Sequence, residues 1–416
     1  MRTLPVTRYT GELFDNNSSG IGPAGDGLLP AIWCFCSSPE YNEAVRQIDQ
    51  KINVTNATLV KVPFDLDRWM KVAEERYPNG LPQPYSDDPT QWIFHGHPCG
   101  SVVWDKTEKR TAEGRLRADS TVLQIAVARL LGYRWPAEWD IKMELANEQR
   151  DWVSRCAALQ DHGDTDGIVC IPPVRGEDRA EDRLSRLLAA SYGDNWSAET
   201  LSRLLADTDA TSLDDWLRNR FFEGHCKLYH HRPFIWHVWD GRATDGFHAL
   251  VNYHKLAADG GRGRRCLESL TYSYLGDWIT RQRDGVARGE DAAEGRLAAA
   301  IALQELLQLI LSGEPPFDIF VRWKALDEQS VGWNPQVDDG VRLNIRPFMA
   351  SDIPGGRKGA GILRIKPKIK WTKDRGKEPL RDQQCFPWFW RNGEFTGSRI
   401  NDVHLSAADK SGQEVG

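Results

Sequence analysis

The sequence predicts a mixed α+β fold. Three observations predict it: a helix, loop and strand alternation near the N-terminus, a succession of helical patterns through the middle third, and two aromatic strands joined by a turn near residue 240. We expect three regions: a compact α/β unit at 1–115, a helical region at 116–225, and a mixed, β-rich α/β region at 226–416. The third region carries a long helix at 297–311 and a basic segment at 357–381.

The composition indicates an ordered, globular protein. Seventeen Trp, fourteen Phe and ten Tyr supply large apolar side chains of the kind that disordered chains lack. At 416 residues, the chain is long enough for two or three domains with separate cores. Eight scattered Cys favour reduced thiols over a disulfide framework. No apolar run approaches the roughly 20 residues of a membrane span, and the N-terminus lacks the form of a signal peptide, so we expect a soluble, cytoplasmic protein.

The first region is predicted to contain helices, a polar loop and a strand. A helix from residue 29 ends around 37–40, and Ser38 then caps a second helix that has Pro39 at its first position. An Asn/Thr loop follows at 53–58, and strands are expected at 4–9 and 59–64. Such a loop can present amides and hydroxyls to DNA base edges, although it is more often an ordinary turn. The candidate DNA-binding residues here are Asn53, Thr55, Asn56 and Lys61.

Two further patterns in this region match ligand sites only in part. The glycines within 20–25 form a G-x-G-x-x-G, but a polar run precedes them and Pro23 lies among them, so a surface loop is favoured over a phosphate-binding turn. The Cys pair within 34–36 and the His and Cys residues within 95–99 lack a second cluster at zinc-like spacing, so core or loop roles are favoured over metal binding.

Helical patterns dominate the next part of the chain. An apolar helix is expected at 121–131, closed by Gly132. The pattern around Asp164 resembles the start of a calcium loop but lacks the later acidic ligands, so a turn is favoured. The remaining helix candidates cover 66–82, 138–160, 177–192, 197–207 and 212–222.

Aromatic residues and histidines are concentrated between 229 and 254. Strands at 234–239 and 247–253, joined by a turn at 240–246, predict a hairpin that can hold aromatic side chains against bases. A catalytic role for the histidines needs a paired nucleophile or a fixed carboxylate spacing, and neither is found, so structural roles are favoured. The five histidines are His230, His231, His237, His248 and His254.

The basic segment at 357–381 is the strongest functional signal. It carries a local charge of +8, whereas the whole chain carries −6 and the remainder therefore −14. Such a concentration is typical of a surface that meets a polyanion. Lysines alternate with apolar residues at 365–370, which on a strand places three ammonium groups on one face, about 7 Å apart. The alternative is a solvated edge strand protected against aggregation. The candidate DNA-binding residues of this segment are Arg357, Lys358, Arg364, Lys366, Lys368, Lys370, Trp371, Lys373, Arg375 and Lys377.

Several of these stretches resemble known DNA-modification proteins. The strings LPAIWCFCSSPEYNEAV (29–45) and VTNATLVKVP (54–63) look like the closing part of a target-recognition domain of restriction-modification systems, as in type I specificity subunits. The string YSDDPTQWIFHGHP (85–98) is similar to the C-terminal region of large adenine-N6 DNA methyltransferases of bacterial phage defence, the BREX (PglX) and DISARM kind. Four closing strings resemble the tail of the same enzymes: DDGVRLNIRPF (338–348), GILRIKPKIKW (361–371), KDRGKE (373–378) and RINDVH (399–404).

The resemblance covers nearly the whole chain and implies a target-recognition-like unit at 1–115 and a spacer helix at 297–311. Adenine-N6 methylation needs an Asn/Asp-Pro-Pro-Tyr/Phe loop for the flipped base and a glycine-rich turn for S-adenosylmethionine. This chain has Pro-Pro only at 172–173 and 315–316, in contexts that do not fit, and no methyl-donor motif. We therefore expect no catalytic residue, metal or cofactor in this chain, and S-adenosylmethionine on a partner catalytic domain.

The function expected from these observations is DNA recognition on behalf of an adenine-N6 methyltransferase. Its expected partners are duplex DNA, the methyltransferase domain or subunit and other phage-defence proteins, without a membrane. An alternative is a protein-interaction scaffold in which the basic segment meets an acidic partner. A third hypothesis, a self-sufficient enzyme that uses the histidines, is less favoured because no nucleophile accompanies them.

Overall fold

The computed structural model describes residues 4–8, 19–51, 54–91, 94–258, 260–313, 317, 344–369, 380, 383–384 and 390–395. The chain forms two compact units: the first comprises Met1–Arg117 and Trp135–Ala157, and the second comprises Ala118–Arg134 and Ala158–Gly416. Helices and small sheets occur together, so the predicted mixed α+β class is confirmed. The division into three regions at 115 and 225 stays a prediction.

In the described residues, the helices and strands follow one another in this order: α1 (Leu29–Cys36), α2 (Pro39–Ile48), α3 (Asn56–Leu59), α4 (Leu66–Arg76), β1 (Val102–Asp105), β2 (Arg110–Glu113), α5 (Ser120–Leu130), α6 (Pro136–Trp139), α7 (Asn147–Arg155), β3 (Ile168–Cys170), α8 (Ala180–Tyr192), α9 (Ala198–Ala206), α10 (Leu213–Asn219), α11 (Phe221–Leu228), β4 (Ile235–Trp239), β5 (His248–Asn252), α12 (Tyr253–Leu256), α13 (Arg262–Glu268), α14 (Leu275–Ala287), α15 (Ala293–Ser312), β6 (Trp390–Arg391) and β7 (Glu394–Phe395).

The core of the first unit lies between α1, α2 and α4. Ser38 caps α2 as predicted, because its hydroxyl accepts a hydrogen bond from the Tyr41 amide at 3.0 Å. Asp65 caps α4 in the same way through the Arg68 amide. The capped helices bring the Phe35 ring against those of Tyr41 and Trp69, with ring centroids 4.7 and 5.5 Å apart. Burial of these aromatic rings stabilises the unit.

Two predicted strands of this unit are wrong. Residues 4–8 form no strand, and residues 56–59 form the short helix α3, followed by a turn in which Val60 is 81 % exposed. The described strands of this unit, β1 and β2, pair with each other. Residues 59–61 instead satisfy their backbone amides locally, since these amides donate to the carbonyls of residues 55, 56 and 58.

A fully buried antiparallel sheet forms the centre of the second unit. Its strand order is β3, β5, β4, and every residue of the three strands is buried. The pairing of β4 with β5 places Ile235 opposite Asn252 and Trp239 opposite His248, so the predicted hairpin is confirmed. Asp240 holds its turn, since its carboxylate accepts the amides of Arg242 at 3.0 Å and Phe247 at 2.8 Å. Burial raises the pKa of Asp240 to about 6.

Helices surround this sheet. The predicted apolar helix is confirmed as α5, and Gly132 follows its end with a φ of +78°, a conformation that glycine adopts at low cost. The candidates at 177–192 and 197–207 are confirmed as α8 and α9 with shorter bounds. The candidate at 212–222 is two helices, α10 and α11, separated at Arg220, whose φ of −121° interrupts the helical backbone.

The Asp164 segment is a turn, as predicted. Its carboxylate accepts hydrogen bonds from the amides of Asp166 at 3.0 Å and Gly167 at 2.7 Å, so the side chain closes the loop on its own backbone. Its other oxygen pairs with Arg183 at 2.8 Å. These bonds fix the loop that leads into β3.

The predicted long helix is confirmed as α15, and it is longer and more apolar than the sequence patterns indicated. In the described residues it is the one helix that is long and apolar enough to cross a membrane by length and composition. This corrects the expectation that no apolar run reaches that length, although the core helix of a soluble protein meets the same criteria. Its side chains bond within the unit: Arg296 to Gln282 at 2.6 Å and Gln304 to the Thr271 carbonyl at 3.0 Å.

Replacing Gly241 by Ala is expected to destabilise the second unit strongly. Gly241 lies in the hairpin turn with a φ of +91°, and a Cβ there would be 2.0 Å from the Pro354 carbonyl oxygen. The left-handed backbone costs an alanine about 1–2 kcal/mol, and the overlap with a backbone atom costs about 1–3 kcal/mol more.

The matched control is Gly289→Ala. Gly289 has a φ of +71°, and no atom of the described residues lies within 4 Å of the position that the added methyl group would occupy. This variant should show the backbone cost alone. Urea unfolding of both variants measures the difference in free energy of unfolding. Equal losses would show that the hairpin turn does not pack against Pro354.

Candidate nucleic-acid interface

The basic segment is attached to the outer edge of the buried sheet. The Trp239 amide donates to the Ile362 carbonyl at 3.1 Å, and the Arg364 amide donates to the His237 carbonyl at 3.0 Å. The Trp239 indole N–H adds a bond to the Leu363 carbonyl at 3.1 Å. Backbone pairing of this kind gives a surface segment a fixed position relative to the core.

Residues 362–364, which pair with β4, are called the anchor. After the anchor, exposed lysines alternate with buried apolar residues. Ile365 and Pro367 are buried, whereas Lys366 and Lys368 are exposed. Residues 364–369 belong to no strand, so the strand assignment of this part is wrong, but the predicted two-residue period of the side chains is present. Both ammonium groups are therefore available to solvent on a segment whose apolar residues face the core.

Arg364 differs from its basic neighbours because its side chain makes contacts within the protein that stabilise the fold. Its guanidinium donates to the Arg218 carbonyl at 2.9 Å and to the Asn219 side-chain oxygen at 2.8 Å. It also lies over the Trp239 ring, 4.2 Å from the ring centroid. With these contacts it joins the segment to α10 and β4, and it contributes less to the surface charge than the sequence indicates.

A loop ahead of the anchor presents two further cations. The Asp352 carboxylate accepts the amides of Gly359 and Gly361, both at 2.8 Å, and these bonds lower the pKa of Asp352. Arg357 and Lys358 are exposed within this loop. Lys366 and Lys358 also lower the pKa of Asp352, which shows that both lie near its carboxylate. The Asp352 carboxylate thus fixes the shape of the loop, and the two nearby lysines partly neutralise its charge.

Both ends of α11 add basic side chains beside this segment, since Arg220 directly precedes the helix and Lys227 lies in its last turn. Burial, and then the charges of Lys368 and Lys227, lower the pKa of His231. A bond from Lys227 at 2.9 Å, followed by the charges of Arg357 and Arg220, lowers the pKa of Glu223. Because charges from all three places act on His231 and Glu223, the cations beside α11, in the Asp352 loop and in the basic segment lie close together. The basic surface is defined here by Arg220, Lys227, His231, Arg357, Lys358, Lys366 and Lys368.

The other candidate residues lie in the first unit or outside the described residues. Thr55, Asn56 and Lys61 are exposed around α3, which belongs to the first unit, and Asn56 accepts a hydrogen bond from Ser19. Asn53 lies outside the described residues. The remaining candidates also lie outside them: Lys370, Trp371, Lys373, Arg375 and Lys377.

Two of the five candidate histidines, His237 and His248, belong to the core. His237 and His248 are fully buried and share a hydrogen bond of 2.9 Å between their rings, and His248 also bonds to the Arg242 carbonyl at 2.8 Å. Burial lowers the pKa of His248 to about 3 and the pKa of His237 well below its usual value. Both rings are therefore neutral near pH 7. His254 bonds to the Tyr133 hydroxyl at 3.1 Å.

His230 and His231 occupy a different environment. Both have positive φ, 52° and 58°, at the end of α11, where the His231 amide bonds to the Cys226 carbonyl at 2.6 Å. Such backbone conformations cost non-glycine residues energy and are enriched at functional positions. This turn sets His231 beside Lys368.

The His and Cys residues within 95–99 are buried in the first unit, as are Cys34 and Cys36. Among the described residues, no group of three or more His, Cys, Asp or Glu is arranged to hold a metal ion. Residues 314–316, which contain one of the two Pro-Pro pairs, lie outside the described residues.

Sequence reasoning missed the contribution of α11 to the basic surface. Arg220 and Lys227 precede Lys366 by about 140 residues, and neither lies in a basic run. The sequence offers no signal that the end of α11 and the Asp352 loop meet, because their proximity follows from tertiary packing. The chain matches no known family model and no curated protein.

Arg364→Ala is expected to lower the free energy of unfolding by about 2–4 kcal/mol, because it leaves a partly buried carbonyl and amide without their charged donor and removes the stack on Trp239. Lys366→Ala, two residues away and exposed, should change it by no more than about 0.5 kcal/mol. Chemical denaturation followed by circular dichroism compares the two. Similar small effects would show that Arg364 is a solvent-facing side chain.

Proposed function

We propose that this chain is the DNA-recognition part of an adenine-N6 DNA methyltransferase in a bacterial phage-defence or restriction-modification system. The observation that carries the proposal is the basic surface: exposed Lys366 and Lys368, held by backbone bonds to a buried sheet, adjoin the cations of α11 and the Asp352 loop. The resemblance of the closing sequence strings to the tails of such methyltransferases supplies the reaction class. We place the protein in the cytoplasm, where its DNA substrate lies.

In this proposal, the basic surface binds the phosphate backbone of duplex DNA. Each phosphate that the lysines neutralise releases condensed counterions, which favours binding at low salt. Contacts of this type fix position and register without reading sequence. Base-edge contacts come from elsewhere, with Thr55, Asn56 and Lys61 of the first unit as candidates.

The methyl transfer itself belongs to a catalytic domain or subunit that binds S-adenosylmethionine. This division of labour follows from the lack of an Asn/Asp-Pro-Pro-Tyr/Phe loop in the sequence. The chain's own contribution is to bind DNA and to orient it for that partner. Other phage-defence proteins are further proposed partners.

The first test is the salt dependence of DNA binding. The full chain should bind duplex DNA with an affinity that falls steeply as salt rises. Replacing Lys358, Lys366 and Lys368 together by Ala should reduce the slope of log K against log salt by about 2–3, since each phosphate contact contributes about 0.9. Fluorescence anisotropy with a labelled duplex at several salt concentrations measures the slope.

The matched control replaces three exposed lysines of the first unit, Lys71, Lys106 and Lys142, and so removes the same charge. Its slope should remain close to that of the unaltered chain. A basic-surface variant with an unchanged slope would refute the proposal. Absence of DNA binding together with capture of an acidic partner protein would instead support the scaffold hypothesis.

The second test is the pH dependence of the same binding. In the free protein, burial and the charges of Lys368 and Lys227 lower the pKa of His231. A phosphate bound beside these cations opposes their effect and raises the pKa of His231, so binding takes up a proton. DNA affinity should therefore rise several-fold as pH falls from about 7.5 to 5.5.

His231→Gln should flatten this pH profile while leaving most of the affinity at pH 7.5. His237 and His248 are buried and neutral over this range, so they do not produce the same profile. An identical pH dependence in the His231 variant would place His231 away from bound phosphate.

A further inference from the structure

A second feature of the second unit that is rich in basic side chains is an open cleft of about 420 Å³. It lies between the residues that follow β3, the hairpin turn before β5, and the facing parts of α14 and α15. A volume of this size is within the range of small-molecule sites. The residues that define the basic surface do not line it.

Arginines dominate the lining of this cleft. The acidic residues that line it, Asp245 and Glu290, are already engaged: Asp245 pairs with Arg242 at 2.7 Å and Glu290 pairs with Arg288 at 2.8 Å. The other lining arginines also have acidic partners, since Arg179 pairs with Glu181, Arg218 with Asp214, and Arg281 with Asp277. The cleft therefore offers an anion guanidinium N–H donors and not an excess of positive charge. The five arginines are Arg179, Arg218, Arg281, Arg288 and Arg296.

These arginines are held in place by bonds that use only part of their donor groups. Arg281 donates to the Pro173 carbonyl at 2.8 Å and pairs with Asp277 at 2.8 Å. Arg218 pairs with Asp214 at 2.8 Å and donates to the Gly246 carbonyl at 3.3 Å. A guanidinium carries five N–H donors in a planar fork, so each of these groups retains donors beyond those bonds.

Trp278 supplies an independent observation at the same place. Its indole N–H is buried and has no hydrogen-bond partner among the described residues, and the side chain lines the cleft. A buried donor without an acceptor is unfavourable, and an oxygen of a bound ligand is a suitable acceptor. Together with Pro172 and Pro173, the indole also gives the cleft an apolar wall.

We propose that this cleft binds a small phosphate monoester. The phosphate oxygens accept from the guanidinium forks of Arg281, Arg288 and Arg296, a geometry that favours phosphate over a point anion. The Trp278 N–H donates to one of the same oxygens. The organic part of the ligand packs against the indole and the two prolines. This site does not depend on DNA recognition, and either proposal can fail without the other.

The test is calorimetric titration of the full chain with phenyl phosphate, inorganic phosphate and phenol. Phenyl phosphate should bind with saturation, inorganic phosphate more weakly because it lacks the ring, and phenol not at all because it lacks the charge. Arg281→Gln with Arg288→Gln should weaken the binding of phenyl phosphate at least about tenfold, as expected for the loss of charged hydrogen bonds. Both side chains are more than a third exposed, at 41 % and 62 %, so the fold should tolerate the change.

The matched control combines Arg68→Gln with Arg264→Gln. These side chains are 53 % and 52 % exposed and each pairs with one glutamate, so the control removes the same charge from similar surroundings outside the cleft. It should bind phenyl phosphate as the unaltered chain does. Thermal unfolding of all variants confirms that they are folded.

A second measurement follows Trp278 directly. In ¹⁵N-labelled protein, the indole N–H signal that disappears in Trp278→Phe identifies this side chain, and phenyl phosphate should shift that signal as the N–H acquires an acceptor. Saturable binding that moves this signal and is weakened only by the cleft variant supports the proposal. Absence of saturable binding, an unmoved Trp278 signal, or equal weakening in the control would each overturn it.

Discussion

The candidate interface depends on the pairing of residues 362–364 with the outer edge of β4. The sheet order leaves β4 with one side free of strands, and backbone groups on such an edge need partners. The bonds of Trp239 to Ile362 and of Arg364 to His237 supply them. Because Lys366 and Lys368 follow this anchor directly, their distance from the core is set by backbone geometry and not by flexible side chains alone.

The sheet that carries this anchor buries side chains that can carry a charge, and hydrogen bonds or loss of charge compensate for their burial. His237 and His248 lose their charge on burial and hydrogen-bond to each other, while Asp240 accepts two backbone amides within the hairpin turn. Unpaired charges at these positions would cost several kcal/mol. The same histidines that suggest catalysis in the sequence are therefore explained by the needs of a buried hairpin.

Much of the fold follows from local sequence patterns. Ser38 and Pro39 start α2, Gly132 closes α5, and the turn residues before Phe247 predict the hairpin, because caps and turns are determined by neighbouring residues. The strand at 59–64 fails for the opposite reason: a strand needs a partner, and partners can be distant in the sequence, as β5 is for β3. Long-range pairing is the part that local patterns do not contain.

The candidate nucleic-acid interface shows the same difference between local patterns, which the sequence contains, and long-range contacts, which it does not reveal. The charge pattern identifies Lys366 and Lys368 as exposed cations, since alternation is local, but it gives Arg364 the same role. Only the packed structure separates them, because Arg364 meets Arg218 and Asn219, nearly 150 residues earlier. The contribution of α11 is hidden for the same reason.

We thus propose two kinds of anion for two kinds of cation in the second unit. Lys366 and Lys368 are exposed point charges on a segment that follows the edge of the sheet, which suits a long polyanion whose position along the surface varies. Arg281 and Arg296 are planar forks held by carbonyl, amide and carboxylate groups around a cleft, which suits one small anion in one orientation. Net charge alone does not separate these two cases. The two cases differ in the number of bonds that hold each cation before a ligand binds. A cation that is already held in place loses less conformational entropy on binding.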